Sequence, residues 1–167
     1  MKNYEEMDSQ SLVELAGGQA DHLSKIREGI GIKVVTSQSI RDQRGMLSSL
    51  EFNAELPFTP MRLFYIQDVP NGFTRGGHAH KCCEQILFSI AGECEISLET
   101  KSRGITIKLD TPSLGIYVPK AVWTDIKFKS QNSLLLVLAS HPYDELDYLR
   151  DYQEFANYQI ENSKGVK

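Results

Sequence analysis

The sequence has little of what would tie it to a polyanion, a membrane or an oxidising compartment. Its 18 Lys and Arg are outnumbered by 22 Asp and Glu, for a net charge of -4 at pH 7, and no basic stripe interleaves with aromatic residues. A nucleic-acid partner has no electrostatic footprint here. No apolar run approaches the roughly 20 residues of a membrane-spanning helix, and the opening MKNYEEMDSQ lacks the basic-then-apolar plan of a signal peptide. No membrane association is expected, and the chain reads as cytoplasmic. Cysteine is scarce: there are three, two of them adjacent at Cys82 and Cys83, an odd number poorly placed for a disulfide framework. Reduced, partly buried thiols are expected instead. Glycine-rich dinucleotide fingerprints are missing too, so nothing calls for a nicotinamide cofactor.

What is present has the size and balance of one globular domain: 167 residues, 41% hydrophobic and 24% charged. Residues 1–32 stand apart. SLVELA and DHLSKI place Leu12, Leu15, Ala16, Leu23 and Ile26 at helical spacing, interrupted by Gly17 and Gly18 and stopped near Gly29 and Gly31. They read as two short helical pieces or a loosely docked arm of unknown role, with His22 on the surface.

Residues 33–160 read as the main domain. KVV, MLSSLEF, MRLFYIQDV, GITIKLD, GIYVP, AVWTDIKF and SLLLVLAS are short apolar or alternating runs parted by turn residues. In MRLFYIQDV, Leu63, Tyr65 and Gln67 share one face and Arg62, Phe64, Ile66 and Asp68 the other. EQILFSIAGECEISLE is expected to be a hairpin turning at Ala91 to Glu93. Many short strands with no helices between them predict an antiparallel sandwich or closed barrel. The end returns to helix, with Asp144 as its expected cap and Leu146, Leu149, Tyr152, Phe155, Ala156 and Ile160 as one apolar stripe. Residues 161–167 are a tail.

Chemistry concentrates between Gly72 and Gly92. His78 and His80 lie one residue apart, so an extended strand points them the same way. Cys82 and Glu84 continue that face if the strand stays regular, and Ile86, Phe88 and Ile90 extend it into the core. Arg75 sits among glycines, in an expected turn that brings a cation near the histidines. Two readings compete. HxH followed by Glu84 approximates the first metal motif of the cupin barrels. The later strand, however, carries Thr124 where a histidine ligand would stand, and His141 lies beyond the next strand, so no metal is expected. Two imidazoles beside a guanidinium suit proton transfer next to a carbonyl, because imidazole titrates near neutrality and arginine stays charged. Glu84 and His80 could also serve only to orient the pair.

RGGHAHKCCEQ, GIYVPKAVW and ASHPYDELDYLRDYQEF, with DQRGML and MRLFYI in order before them, resemble the linked signatures of the WxcM-like cupins, the nucleotide-sugar 3,4-ketoisomerases. The resemblance covers Lys33 to Tyr158. It implies an all-β cupin jelly roll (double-stranded β-helix) with a short N-terminal helical arm and a C-terminal helix. It also implies a homodimer exchanging N-terminal strands, active without metal or redox cofactor. The implied substrate is a dTDP-linked 4-keto-6-deoxyhexose, taken to its 3-keto isomer in deoxyamino-sugar biosynthesis. His78 resembles the base that removes the C3 proton, and His80 the partner that helps deliver one to C4. Arg75 resembles a group holding the enediolate or a phosphate. Arg44, Arg62, Gln85 and Tyr117 fall in matching motifs, with side chains expected to line the barrel. Tyr117 and Trp123 are read as substrate-stacking or core residues. The alternatives are a dTDP-sugar 3,5-epimerase-like enzyme and a cupin that binds a nucleotide sugar without turning it over.

Overall fold

Alternation along each strand puts one set of side chains between two sheets and the other on their outer faces. The structure, a computed structural model, describes residues 4–16, 29–52, 56–70 and 72–163. One sheet has six strands in the order β1 (Tyr4–Met7), β9 (Gly104–Leu109), β8 (Cys94–Glu99), β11 (Trp123–Phe128), β6 (Thr74–His80) and β13 (Tyr148–Leu149). The other has five, in the order β2 (Lys33–Thr36), β10 (Leu114–Val118), β7 (Gln85–Ala91), β12 (Leu134–Ala139) and β5 (Arg62–Ile66). Ile96, Leu98, Ile107, Ile126 and Phe128 of the first sheet share one core with Leu87, Ile116, Leu135 and Val137 of the second, and Phe64 and Ile66 pack against it. A third, two-stranded sheet pairs β3 (Gln38–Asp42) with β4 (Gly45–Ser49). Helix α1 (Ser9–Ala16) and helix α2 (Tyr152–Ser163) stand near the two ends of the chain. This is the all-β, two-sheet roll that the strand pattern and the resemblance implied. No helix among the described residues is long and apolar enough to cross a membrane.

Four local expectations are corrected. Residues 85–99 are not a hairpin: β7 joins β10 and β12, whereas β8 joins β9 and β11 in the opposite sheet. The turn at Gly92 (φ 66°) therefore carries the chain between layers, and there a Cβ would come within 2.7 Å of Ser133 Cα. The N-terminal stretch keeps its first expected helical piece, α1, but is docked rather than loose and also carries a strand. β1 runs parallel to β9, and Met7, Leu12, Ile30 and Ile32 are part of the main core. Apolar residues before Lys33 thus seal one edge of the roll. His22, Leu23 and Ile26 lie outside the described residues. Third, β6 stops at His80, so Cys82 and Glu84 do not continue the histidine face. The residues of β7 facing the same interior as His80 are Gln85, Leu87 and Ser89. Ile86 and Phe88 belong to a cluster on the sheet's outer face, and Ile90 is 39% exposed.

The fourth concerns the C-terminus. Asp144 caps a single 3-10 turn, Glu145–Asp147, rather than a long helix. β13 follows as two residues paired with β6, Tyr148 opposite His80 and Leu149 opposite Ala79. Only then does α2 begin, with Asp151 accepting the Glu154 backbone N–H at 2.8 Å. Its apolar side covers the outer face of the six-stranded sheet, where Phe155 packs with Ala79, Trp123 and Leu149. Phe155 is fully buried, so Phe155→Ala should cost about 3–5 kcal/mol. Urea unfolding monitored by circular dichroism checks this, and a loss under about 1 kcal/mol would mean that α2 is not anchored there.

Candidate active site

β6 sets the site. Its glycines make a bulge against β11: Thr124 pairs with His78, Asp125 with Gly76 and Ile126 with Arg75, so one extra residue, Gly77, is accommodated. Gly76 (φ 90°) admits no side chain, because a Cβ there would lie 2.4 Å from the Thr124 carbonyl oxygen. Beyond the bulge, Ala79 turns outward to α2 while His78 and His80 turn inward, as the alternation predicted. His80 is only 6% exposed.

The two imidazoles are held differently. Their rings meet edge to face at 5.1 Å, and the Tyr148 ring lies against both, at 4.9 Å from His78 and 4.4 Å from His80. Nδ1 of His78 lies 3.0 Å from the Gly76 carbonyl oxygen. A carbonyl only accepts, so Nδ1 carries the proton and Nε2 is left as a bare lone pair. Nδ1 of His80 lies 2.7 Å from Asp147 Oδ2, and its Nε2 lies 3.1 Å from the Gln85 side-chain nitrogen. His80 therefore donates to a carboxylate and accepts from an amide. The backbone N–H groups of Cys82 (2.6 Å) and Cys83 (3.4 Å) donate to Asp147 Oδ1 and hold the carboxylate in place.

Burial pushes both histidines below their ordinary value of 6.5. For His78 the Gly76 hydrogen bond opposes burial, and for His80 the Asp147 hydrogen bond does. Burial alone would raise the Asp147 carboxyl, but the Cys82 backbone N–H and the His80 ring outweigh it and hold it below 3.8. At neutral pH the contact is thus a neutral imidazole bonded to a carboxylate.

Cations surround the pair at longer range. Arg62 lies over the rings of Phe64 (5.0 Å) and Tyr143 (5.6 Å), and its field disfavours protonation of His80. Among the described residues its buried Nε has no hydrogen-bond partner, and an unmet donor of this kind costs about 1–3 kcal/mol. Arg150 stacks on Tyr148 at 4.2 Å and is tied to Glu145 through bonds of 2.8 and 3.1 Å. That pairing, with the Tyr143 hydroxyl, draws the Glu145 carboxyl down to about 2.

The structure thus brings His78, His80, Gln85 and Arg62 together. Arg75 lies on strand β6, not in a turn; it is exposed and separated from His78 by the bulge. Tyr117 and Arg44 do not line the interior, and Trp123 takes its core-packing alternative. Tyr117 is on the outer face of the five-stranded sheet, its hydroxyl donating to Glu84, and burial followed by that bond pushes the phenol well above its ordinary value. Trp123 faces α2, 5.1 Å from Tyr152 and 5.5 Å from Phe155, with Nε1 donating to Asp125 at 2.9 Å. Both positions have the opposite strand phase from the interior residues. Arg44 is at the tip of the β3–β4 hairpin, bonded to Asp42 at 2.6 Å with 90% of its side chain exposed. A cupin-type metal would need Glu84 beside the histidines, and its engagement with Tyr117 on the outer face means that the donor set does not fit.

Sequence reading missed Asp147, Tyr148, Tyr143 and Arg150, which sit in a segment read as the start of a helix. A two-residue strand carries no periodicity. The available signal was chemical, since buried imidazoles need a carboxylate or carbonyl partner and YDELDY is the nearest dense source of both carboxylates and aromatics.

Known proteins share this fold and much of this sequence. The family model described as FdtA, WxcM-like, C-terminal matches residues 30–160. A TDP-4-oxo-6-deoxy-alpha-D-glucose-3,4-oxoisomerase of Aneurinibacillus thermoaerophilus is 40% identical over 126 residues, covering 75% of this chain and 91% of that protein. Among solved structures, the sugar 3,4-ketoisomerase QdtA of Thermoanaerobacterium thermosaccharolyticum, in complex with TDP, has a TM-score of 0.75 at 33% identity, covering 78% of this chain and 96% of its own. WlaRB, a TDP-quinovose 3,4-ketoisomerase of Campylobacter jejuni, has a TM-score of 0.70 at 42% identity, covering 75% and 97%. The chain belongs to the WxcM-like C-terminal (FdtA) family, that of the TDP-sugar 3,4-ketoisomerases.

Proposed function

We propose that this chain isomerises a TDP-linked 4-keto-6-deoxyhexose to its 3-keto isomer, with His78 as the base. The observation that carries the assignment is the hydrogen bonding of the two rings: among the described residues Nε2 of His78 has no partner, whereas both nitrogens of His80 are engaged. His78 Nε2 removes the proton from C3, and the electrons move onto O4 to give an enediolate. O4 gains a proton and O3 loses one. The carbonyl re-forms at C3 as C4 receives a proton, delivered with the help of His80. The carbon oxidised at C3 and the carbon reduced at C4 balance, so no external oxidant takes part. Arg62, whose buried Nε lacks a partner among the described residues, is assigned to stabilising the oxyanion, and the exposed Arg75 to holding a phosphate at longer range. Gln85 orients His80.

The same reading extends to a homodimer with exchanged N-terminal strands. Among the described residues the β3–β4 hairpin pairs only with itself, and it exposes Ile40 (66%), Met46 (44%) and Leu47 (61%). β5 is an edge strand whose outward residues Leu63 (55%) and Tyr65 (61%) are equally bare. One chain thus offers an open hairpin and an open edge, which a second copy can join by strand addition. Exchange would carry Arg44 to the other subunit. Three free cysteines suit a reducing cytoplasm.

Incubation with TDP-4-keto-6-deoxyglucose in deuterated water, followed by NMR, should place deuterium at C4 of a 3-keto product. Label at C3 and C5 without carbonyl migration would indicate epimerisation instead. His78→Asn should lower turnover by about 10²–10⁴-fold or more while sparing TDP binding by calorimetry; unchanged turnover removes the base assignment. Because the neutral ring is the active form, kcat/KM should fall as pH drops through the His78 value, with its midpoint below the ordinary 6.5. A midpoint above 6.5 contradicts the buried base. The double variant Ile40→Lys, Leu47→Lys should sediment as a monomer, and one that stays dimeric excludes the hairpin from the interface.

A further inference from the structure

The reaction makes no use of the thiol of Cys83. It is 3% exposed, and its Sγ reaches only the Glu84 carbonyl oxygen at 3.5 Å and Ser140 Oγ at 3.9 Å. Its surroundings are specific nonetheless. Ligand atoms of His80, Cys83 and Asp147 all lie within 4.8 Å of one another. Imidazole, thiol and carboxylate together are the donor set of a borderline-soft divalent ion such as zinc. Bonds of about 2.0–2.3 Å require donors roughly 3–4 Å apart, so movements of about an ångström would close the set. The charges also balance, since a divalent ion with one thiolate and one carboxylate leaves no net charge in a buried place. The outer partners are in position: Asp147 Oδ1 is held by two backbone N–H groups, and Gln85 sits on the other ring nitrogen of His80.

We propose that His80, Cys83 and Asp147 form an inhibitory site for zinc, distinct in its donors from the HxH-plus-glutamate set of the cupins. On binding, the Cys83 thiol gives its proton to solvent. The Nδ1 proton of His80 is relocated to Nε2, where Gln85, with its amide turned, accepts it through Oε1. No electron moves. The ion occupies Nδ1 and the carboxylate that positions it, so His80 can no longer take part in proton delivery and isomerisation stops.

The inhibitory half rests on the isomerase reading and the binding half does not, so the test reads them separately. Full-length protein stripped with a chelator is titrated with cobalt as a spectroscopic probe. Wild type should develop tetrahedral d–d bands and a thiolate-to-cobalt charge-transfer band saturating at one ion per chain. Cys82→Ser, altered at the neighbouring exposed thiol, should keep that band and Cys83→Ser should lose it. In parallel, saturating zinc should reduce turnover of wild type and Cys82→Ser by at least roughly tenfold, reversibly on chelation. Cys83→Ser, active without metal, should keep its rate. Absence of the band in wild type, or the same band in Cys83→Ser, overturns the site. The expected band with zinc-insensitive turnover overturns inhibition. A chain that never isomerises the sugar fails the earlier proposal alone, because the cobalt spectrum still decides the site.

Discussion

The contact between His80 and Asp147 ties the site to the fold. It joins residues 67 positions apart through a 2.7 Å bond, and three features depend on it. It fixes the tautomer of a buried imidazole. It anchors the 3-10 turn whose next residue, Tyr148, pairs with β6 and lays its ring on both histidines. It also sets the direction in which the chain enters α2, whose Phe155 seals the outer face behind Ala79. The carboxylate is preorganised by the Cys82 and Cys83 backbone N–H groups, so its orientation belongs to the turn after β6 as well as to the C-terminal segment.

Electrostatics then divide the interior into a neutral centre and a charged rim. Burial keeps both imidazoles uncharged, and Arg150 and Arg62 push the same way on His78 and His80 respectively. A neutral base facing arginines suits the proposed step, in which it accepts a proton from carbon while the negative charge left on oxygen meets a cation. In a water-filled cleft that field would be screened. Arg62, stacked on Phe64 with its Nε buried, is the less screened of the two, whereas Arg150 on Tyr148 is about half exposed and water weakens its field.

What the sequence made legible follows from how far each signal reaches along the chain. Strict alternation in Ile105, Ile107 and Leu109, or in Arg62, Phe64 and Ile66, records which face is buried, and those phases match the structure. The histidine pair was legible for the same reason, since one intervening residue puts both rings on one side. Whether Tyr117 and Trp123 stack on substrate or pack in a core stayed open in the sequence because an aromatic on an outer face can be as buried as one inside; both are packed, one under a cluster on the five-stranded sheet and the other under α2. Alternation tells apart two faces of a strand, not which of them encloses substrate. The supposed hairpin at Ala91 failed on connectivity, as a turn between sheets and a turn within one have the same composition. Asp147 and Tyr148 left no trace because their strand is two residues long and their partners lie in β6.

The two histidines are also graded in basicity by their anchors, and the grading fits the order of proton movement in the proposed reaction. A backbone carbonyl is a neutral acceptor, so His78, once protonated, is stabilised little and readily gives the proton up again. A carboxylate stabilises an imidazolium far more, so His80, once protonated at Nε2, is held in its charged form by Asp147 at Nδ1. Nε2 of His80 meets the Gln85 amide nitrogen in the free protein; after protonation the same side chain can accept through its oxygen with a half-turn of the amide. One glutamine thereby satisfies both protonation states of a ring that is 6% exposed, and no buried donor or acceptor is left unpaired as the proton comes and goes. An apolar residue of similar size at position 85 would preserve packing but remove that compensation, which only a side chain able both to donate and to accept can supply to Nε2 of His80.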